Sequence, residues 1–219
     1  MKLSNKSLNI IKNFSTINSN FTISKGNTIR TISVGSNIFV KAEIEESFPT
    51  DFGIYDLNEF IGVLSLFESP ELEFNDTFVR ISENGNSVKY LSANPDHLTK
   101  IPQINSLPDP DIEFELSNNL LNSIRKSASA LKVTDFMVIG EDGKLVITVG
   151  DKKNPSSNSF STEIGECDGK FSINFKVENL KIINDDYKVS IHAKKIGMFT
   201  AKNTPIEYYI ALEMDSTFN

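Results

Sequence analysis

The chain of 219 residues lacks the features of a secreted, disulfide-bonded or membrane-spanning protein. Cys167 is its only cysteine, so an intramolecular disulfide is excluded and a reducing cytosol is favoured. No apolar run approaches the ~18 residues that a membrane span needs. The first residues lack the apolar core of a signal peptide, because Lys, Asn and Ser interrupt them repeatedly. We therefore expect a cytosolic protein without a membrane partner, in which Cys167 is a small structural side chain.

Recognisable catalytic and metal-binding patterns are also missing from the sequence. His97 lies in a proline-rich stretch and His192 in a predicted strand, and neither belongs to an HExxH or CxxC type of spacing. There is no glycine-rich phosphate loop, and Asp185 and Asp186 lie together in a predicted loop without a nearby histidine. No Ser or Cys nucleophile pairs with a base in a familiar order. The sequence thus predicts no catalytic residue, no metal and no cofactor, and a metabolic enzyme of mixed α+β fold has little support.

Acidic residues are absent before Glu43, although the whole chain carries a net charge of −7. Six basic residues lie in positions 1 to 42, so the other 177 positions hold 16 basic and 29 acidic side chains, a net charge of −13. This asymmetry favours one surface that meets a polyanion on a protein that otherwise repels it. An ordinary solvated face is the alternative.

Two predicted helices carry the acid-free pattern. Residues 3–14 fit an amphipathic helix whose polar arc, about 120° wide, contains only Lys and Asn. Residues 117–132 repeat the device, since no acid occurs between Leu116 and Thr134. Ordinary exposed helices mix both signs, because Glu and Lys four residues apart stabilise them. The repetition therefore weighs against an ordinary solvated face.

The remaining pattern predicts two similar domains of short strands and few helices. Residues 94–111 contain four of the eight prolines and predict an extended connector between domains at 1–93 and 112–219. Leu8, Asn9, Ile11 and Lys12 match Leu121, Asn122, Ile124 and Arg125 at an offset of 113, and two later matches follow at 119. Strands are predicted at 21–24, 28–33, 37–44, 52–55, 78–82, 87–93, 113–117, 135–140, 144–150, 171–175, 187–193, 197–201 and 206–213, with further helices at 56–67 and 177–183. Asp56 is the predicted N-cap of the helix at 56–67, and hairpin turns are predicted at 83–86 and 141–143.

Several long blocks, rather than a short motif, carry a resemblance to a known family. They are MKLS, LNIIKNFSTINS, DFGIYDLNEFIGVLSL, the proline-rich connector and YYIALEMDST. Through them nearly the full chain resembles the DNA polymerase processivity factors, or sliding clamps, of T4-type bacteriophages, with weaker similarity in the middle of each half and at 151–160. The resemblance implies an α+β fold with two similar clamp domains per subunit, inner helices against outer antiparallel sheets, and a closed trimeric ring. It implies a non-catalytic clamp that encircles double-stranded DNA and tethers the replicative polymerase.

The resemblance also assigns roles to individual residues. The DNA-facing residues would be Lys2, Lys6, Lys12, Arg125, Lys126, Lys132, Lys176 and Lys181. A pocket for partner peptides would be formed by Ile101, Ile104, Leu107, Pro108, Tyr209, Ala211 and Leu212, although the residues alone favour simple core cover at a domain junction. Val88 and Tyr90 would lie at the subunit interface, and an ordinary core tyrosine is the alternative for Tyr90. The helix at 56–67 carries Asp56 and Glu59 but no base, so its part in lining the hole would be passive.

The partners that the resemblance implies are macromolecules. They are double-stranded DNA without sequence preference, a C-terminal peptide of the DNA polymerase, the clamp-loader ATPase complex, late-transcription factors and further copies of the chain in a homotrimer. The expected location is the cytoplasm of the infected bacterial host. The alternative is a monomeric, sequence-independent nucleic-acid-binding protein that uses the same helices.

Overall fold

The computed structural model describes residues 1–102, 107–154, 156–193 and 195–218, which form an α+β protein. The chain divides into two compact units. Unit 1 comprises Met1–Ile104 and Pro205–Tyr208, and unit 2 comprises Asn105–Thr204 and Tyr209–Asn219. None of the helices in the described ranges is long and apolar enough to cross a membrane.

Unit 1 combines two α-helices with short antiparallel strands. Its elements are α1 (Asn5–Ile17), β1 (Phe21–Ile23), β2 (Gly26–Ile32), β3 (Ile38–Phe48), β4 (Phe52–Ile54), α2 (Leu57–Leu64), β5 (Glu71–Phe74), β6 (Phe78–Glu83), β7 (Asn86–Leu91) and a 3₁₀-helix (Pro95–His97). Strand β1 pairs with β4, β2 pairs with β3, and β5, β6 and β7 form a three-stranded sheet in that order. Strand β7 is therefore an edge of its sheet.

Unit 2 repeats this order with one helix fewer. Its elements are β8 (Ile112–Leu116), α3 (Asn118–Leu131), β9 (Asp135–Glu141), β10 (Lys144–Gly150), β11 (Phe160–Glu166), β12 (Phe171–Lys176), a 3₁₀-helix (Val177–Asn179), β13 (Tyr187–His192), β14 (Ile196–Ala201) and β16 (Thr217–Phe218). Strand β15 (Ile206–Ala211) begins in the residues assigned to unit 1. One sheet has the order β11-β10-β9-β12-β16, and β8, β13 and β14 pair in the order β8-β13-β14.

Both acid-free helices form for the same local reasons. Ser4 caps α1 by accepting a hydrogen bond from the Ser7 amide, and Ser117 caps α3 by accepting one from the Leu120 amide. The apolar stripe of each helix is buried, as the wheel pattern predicts. The buried apolar residues are Ile10, Ile11, Phe14 and Ile17 in α1 and Leu121, Ile124 and Ala128 in α3. The offset of 113 that relates the two sequences also relates the two caps, so the repeat is confirmed at the level of helix termini.

The predicted turns and the predicted cap of α2 are confirmed. Asn84 and Gly85 have φ of 51° and 83°, and Asp142 and Gly143 have φ of 52° and 77°. Two consecutive residues with positive φ make the tight hairpin turn that suits the right-handed twist of paired strands. Asp56 caps α2 by accepting hydrogen bonds from the amides of Asn58 and Glu59.

Five details differ from the prediction. Helix α1 begins at Asn5 and continues to Ile17, and strands β5, β11 and β16 were not predicted. The helix predicted at 177–183 is wrong beyond Asn179, because Leu180 has φ −78° and ψ 47°. The carbonyls of Leu180 and Ile182 accept side-chain hydrogen bonds from Arg125 instead of helical ones. The segment 180–184 therefore has no regular structure.

Candidate nucleic-acid interface

The basic residues of α1 lie on its exposed side in unit 1. Lys6 and Lys12 are exposed, as are Asn5 and Asn9. The ammonium of Lys6 lies 3.1 Å from the Glu45 carboxylate of β3, and both side chains are largely exposed, so this pair contributes little to stability. The side chain of Lys12 forms no hydrogen bond or ion pair with any of the described residues. Lys2 precedes the helix, is exposed, and donates a 3.4 Å hydrogen bond to the Ser69 hydroxyl.

Each acid-free helix receives a carboxylate at its N-terminus from another segment of its own unit. The Glu46 carboxylate of β3 accepts hydrogen bonds from the Ser4 amide and the Ser7 hydroxyl. The Asp186 carboxylate accepts a 2.7 Å hydrogen bond from the Asn118 amide, at the start of α3. A negative charge there is favourable, because the N-terminal amides and the helix dipole are positive. Each helix therefore has a carboxylate at its N-terminus although none of its own exposed residues is acidic.

Hydrogen bonding sets the protonation of Glu46. Burial acts to raise the pKa of Glu46, but the hydrogen bonds from Ser7 and Ser4 act in the opposite direction and bring the pKa below its usual 4.5. The carboxylate is therefore charged at neutral pH, as its role at the helix terminus requires. Sequence reasoning missed this residue, because Glu46 and Ser4 are 42 positions apart.

The predicted DNA-facing residues of α3 divide into two kinds. Lys126 is exposed, and its side chain forms no hydrogen bond or ion pair within the described part of the chain. Lys132 is also exposed, but it lies just beyond the helix as its C-cap, with φ 55° and ψ 42°. Arg125 is half-buried. Its guanidinium donates hydrogen bonds of 2.8 and 2.6 Å to the carbonyls of Leu180 and Ile182, and one of 2.9 Å to Oδ1 of Asn184.

Lys176 forms an ion pair with a buried carboxylate at the end of β12. Its ammonium lies 2.5 Å from Oδ1 of Asp135, whose side chain is only 3% exposed. The hydrogen bond to Asp135 is the main cause that raises the pKa of Lys176 above its usual value. The other Asp135 oxygen accepts a 3.1 Å hydrogen bond from the Lys152 amide. Asp135 would be costly to bury without this cation, so the structure gives Lys176 a stabilising role besides the predicted one.

A cleft of about 570 Å³ opens beside the C-terminal half of α3. Arg125 and Ser129 of the helix line one side, and Lys176 and Glu178 lie on the other. This is the position where a longer helix was predicted after β12. The chain forms only a 3₁₀ turn there, and Arg125 and Lys176 line the walls of the cleft. Lys181, beyond it, is exposed.

The residues predicted for a partner-peptide pocket lie in both units, and their grouping stays a prediction. Ile101 of unit 1 is half-buried, and Ile104 lies outside the described residues. In unit 2, Leu107, Tyr209 and Ala211 are half-buried and Pro108 is exposed. Leu212 is 6% exposed, and its amide donates a 2.9 Å hydrogen bond to the Lys195 carbonyl. The fixed position of Leu212 suits core cover at least as well as a peptide contact.

Tyr90 and Val88, the predicted interface residues, lie on the edge strand β7. The Tyr90 ring packs edge-to-face on Phe60 of α2, with 5.1 Å between ring centroids. Its hydroxyl lies 3.3 Å from the Glu59 carboxylate, and burial together with this negative charge raises the pKa of Tyr90 to about 12. Val88 is half-buried and faces Ile81 of β6. Tyr90 therefore packs within its own unit, while the outer edge of β7 has no paired strand among the described residues.

Metal binding is not supported by the described side chains. No group of three or more His, Cys, Asp or Glu residues within the described ranges is arranged to hold a metal ion. The buried Asp185 carboxylate instead accepts hydrogen bonds from the Asn203 side chain at 2.7 Å and from the Thr204 hydroxyl at 2.8 Å. It acts as an acceptor that ties together two loops of unit 2.

Comparisons with known proteins agree on the family. The protein-family model for the DNA polymerase processivity factor matches residues 2–93. The protein-family model for the gp45 sliding clamp, C terminal, matches residues 113–214. The sliding clamp of Vibrio phage KVP40 is 35% identical over 97% of this chain and 99% of its own length. The sliding clamp of Enterobacteria phage T4 is 28% identical over 99% of both chains.

Solved structures of clamps share the fold. The PCNA of A. fulgidus, solved with the C-terminal region of FEN-1, superposes with a TM-score of 0.71 at 15% identity over 96% of both chains. The H. pylori beta clamp, solved with a DNA ligase peptide, gives a TM-score of 0.62 at 15% identity over 99% of this chain and 68% of its own. At such identity these likenesses establish the fold alone.

Proposed function

This chain belongs to the sliding-clamp family of DNA polymerase processivity factors, and on that premise we propose that three copies close into a ring around double-stranded DNA. The ring tethers the replicative polymerase to its template and hydrolyses nothing itself. The observation that carries the proposal is the 35% identity to a phage sliding clamp along nearly the full length of both chains. The predicted resemblance to T4-type phage clamps is thereby confirmed.

The acid-free faces of α1 and α3 are proposed to line the hole. Lys12 and Lys126 are the strongest candidates, because both are exposed and the side chain of neither forms a hydrogen bond or ion pair with the described residues. Lys2, Lys6, Lys132 and Lys181 add further exposed charge. Long basic side chains attract phosphates without reading bases, so the contacts are sequence-independent and sensitive to salt. A few weak contacts suit a sliding protein, because the closed ring rather than the affinity prevents loss.

The ring is proposed to close by pairing sheet edges between neighbouring copies. Strand β7 of unit 1 and strand β11 of unit 2 are edges of their sheets. Exposed edges present unpaired amides and carbonyls and readily accept another strand. An interface in which an edge of one unit pairs with an edge of the other is heterologous, and three such contacts close a ring when the rotation permits.

Residues 94–111 are proposed to connect clamp domains at 1–93 and 112–219, and to contribute to a peptide pocket with residues 209–212. Ligands of that pocket would be the C-terminal peptide of the polymerase, the ATP-driven clamp loader and late-transcription factors. The apolar residues of the described connector and of 209–212 are the features that support it. The proposed location is the cytoplasm of the infected host, where phage relatives replicate their DNA.

Solution mass tests the ring proposal. Light scattering across a range of concentrations is expected to give three times the chain mass of 24.4 kDa. A monomer or a dimer at all concentrations would overturn the ring and favour the monomeric binder.

A single substitution tests the edge assignment in the same measurement. In an antiparallel hairpin with a two-residue turn, hydrogen-bonded pairs alternate with non-hydrogen-bonded pairs, and the pair next to the turn is hydrogen-bonded. Glu83–Asn86 and Ile81–Val88 are therefore hydrogen-bonded pairs, and the amide of Ser87 between them points away from β6. Ser87→Pro removes one outward donor from β7 and is expected to shift the protein toward monomer. Ser87→Ala keeps the amide and is expected to remain trimeric. A stable trimer of Ser87→Pro would refute pairing through β7.

A further inference from the structure

The two repeats place different side chains at one corresponding position. The offset of 113 aligns Lys12 of α1 with Arg125 of α3. In unit 1 the helix α2 makes its own backbone hydrogen bonds. The side chain of Lys12 is exposed and has no hydrogen-bond or ion-pair partner in the described ranges. In unit 2 the corresponding segment is a 3₁₀ turn at Val177–Asn179 with no helix after it, and Arg125 is half-buried against it.

The Arg125 guanidinium supplies hydrogen bonds to the irregular segment that follows the 3₁₀ turn. It binds the carbonyls of Leu180 and Ile182 and the side-chain oxygen of Asn184. A guanidinium presents five donors in a fixed planar fork, whereas an ammonium is a compact charge on a flexible stem. A lysine at this position would keep the charge but lose the geometry that holds several acceptors together.

Lys181 lies between the two carbonyls that Arg125 holds. Leu180 and Ile182 are each 4% exposed and anchor the backbone in the core, whereas Lys181 is exposed. The far end of the segment is also fixed, because the Tyr187 hydroxyl donates a 2.7 Å hydrogen bond to the Ile183 carbonyl. The backbone that carries Lys181 is thus fastened on both sides although it belongs to no helix or strand.

We propose that Arg125 is a positioning residue that fixes the 180–184 backbone against α3 and thereby holds Lys181 toward the DNA. The inference rests on the proposed function, since it assumes that the hole contains DNA. It assigns to Arg125 an indirect role in DNA contact, through a lysine 56 positions further along the chain. The pre-set geometry reduces the conformational freedom that Lys181 loses on meeting a phosphate.

The test separates charge from geometry with Arg125→Lys. The readout is the salt dependence of binding to a short DNA duplex, together with amide hydrogen exchange at 181–184. Lys181→Ala and the matched control Lys126→Ala are each expected to lower the slope of log K against log salt by about 0.9. Arg125→Lys removes no charge, yet it is expected to lower the slope by a similar amount and to speed exchange in the segment. The double variant Arg125→Lys/Lys181→Ala should have the same slope of log K against log salt as Lys181→Ala alone.

The outcomes distinguish the two levels of the proposal. A wild-type slope and wild-type exchange in Arg125→Lys, with Lys126→Ala showing its expected loss, would overturn the positioning role alone. An unchanged slope in both Lys126→Ala and Lys181→Ala would overturn the proposed DNA-facing surface itself. If Arg125→Lys fails to fold, Asn184→Ala removes one acceptor at an exposed site and is expected to give a smaller loss of slope with faster exchange. No change in either quantity for Asn184→Ala would then refute the inference.

Discussion

Units 1 and 2 begin alike and then differ in the segment that follows their matching strands β4 and β12. In unit 1 this segment is the helix α2, which buries Leu57, Phe60 and Leu64. In unit 2 it is a single 3₁₀ turn followed by an irregular stretch, held by hydrogen bonds from Arg125 and Tyr187. The comparison shows that both units keep a basic helix, α1 or α3. The segment after the matching strand is held by apolar packing in unit 1 and by side-chain hydrogen bonds in unit 2.

The difference changes what a basic residue does at the same place. The exposed Lys12 is available to an outside anion, whereas the half-buried Arg125 binds the backbone of its own unit. The requirement for an anion at the helix N-terminus is met in both units, but by Glu46 from a strand in one and by Asp186 from a loop in the other. Four substitutions test how far the two units differ, and they are described from the largest expected effect to the smallest.

Phe60→Ala tests the apolar packing of unit 1. The Phe60 side chain is 2% exposed, and removal of a buried phenyl ring costs about 3–5 kcal/mol. Hydrogen exchange in α2 and β7, with urea unfolding as a global measure, is expected to report this loss in unit 1. Leu66→Ala is the control, because Leu66 is 70% exposed and its truncation should stay within about 0.5 kcal/mol. Equal effects of the two changes would show that α2 does not stabilise unit 1 by packing.

Lys176→Met tests the ion pair that unit 2 uses. It leaves the Asp135 carboxylate buried with the Lys152 amide as its other partner, so we expect a loss of about 2–3 kcal/mol in unfolding free energy, less than for a fully buried pair. Lys126→Met, on the exposed face of α3, is the matched control and should change stability by no more than about 0.5 kcal/mol. Urea denaturation measures both. An unfolding free energy unchanged by Lys176→Met would show that the ion pair does not stabilise unit 2, and Lys176 would then be free to contact DNA as predicted.

Glu46 tests the anion supplied to α1. Because hydrogen bonds lower its folded-state pKa below 4.5, its contribution to stability is present above pH 4.5 and is lost as the pH falls through that lower pKa. Glu46→Gln is expected to cost about 1 kcal/mol at neutral pH and to remove this part of the acid dependence. Hydrogen exchange in the first turn of α1 measures it. Glu45→Gln, which alters a largely exposed carboxylate paired with exposed Lys6, should leave the acid dependence unchanged.

Lys12→Ala tests the exposed face of α1. The folding free energy should change by no more than about 0.5 kcal/mol, since this side chain has no partner among the described residues. The slope of log K against log salt for duplex binding should fall by about 0.9. Lys25→Ala, on an exposed turn outside the helix, is the control and should leave the slope unchanged. A slope unaffected by Lys12→Ala would remove α1 from the proposed DNA surface.

Elements with strong local signals were predictable from the sequence. The Asn84-Gly85 and Asp142-Gly143 turns follow from the ease with which these residues adopt positive φ. Helices α1 and α3 follow from their apolar periodicity. The repeat was visible because its matches kept their order, and the resemblance to clamps came from blocks spread along the chain.

What the sequence could not predict depends on partners distant along the chain. The helix predicted at 177–183 is replaced beyond Asn179 by an irregular segment, whose Leu180 carbonyl accepts a hydrogen bond from Arg125, 55 positions earlier in the chain. The sequence does not distinguish Lys176 from the other basic residues, because its ion-pair partner, the buried Asp135, lies 41 positions away. Strand β11 is an edge strand in which four of seven residues are exposed and none is buried, so it lacks the buried apolar residues that mark a core strand.

Retention on circular and linear DNA tests the central claim of a sliding ring most directly. The wild-type protein is placed on a nicked circular duplex with its clamp loader and ATP, and the amount bound is followed before and after the circle is cut. A ring should remain on the circle at moderate salt, leave after the cut, and stay when both ends of the linear duplex are blocked by bound protein. Equal retention on circular, cut and end-blocked DNA would contradict encirclement and identify a binder held by contacts alone.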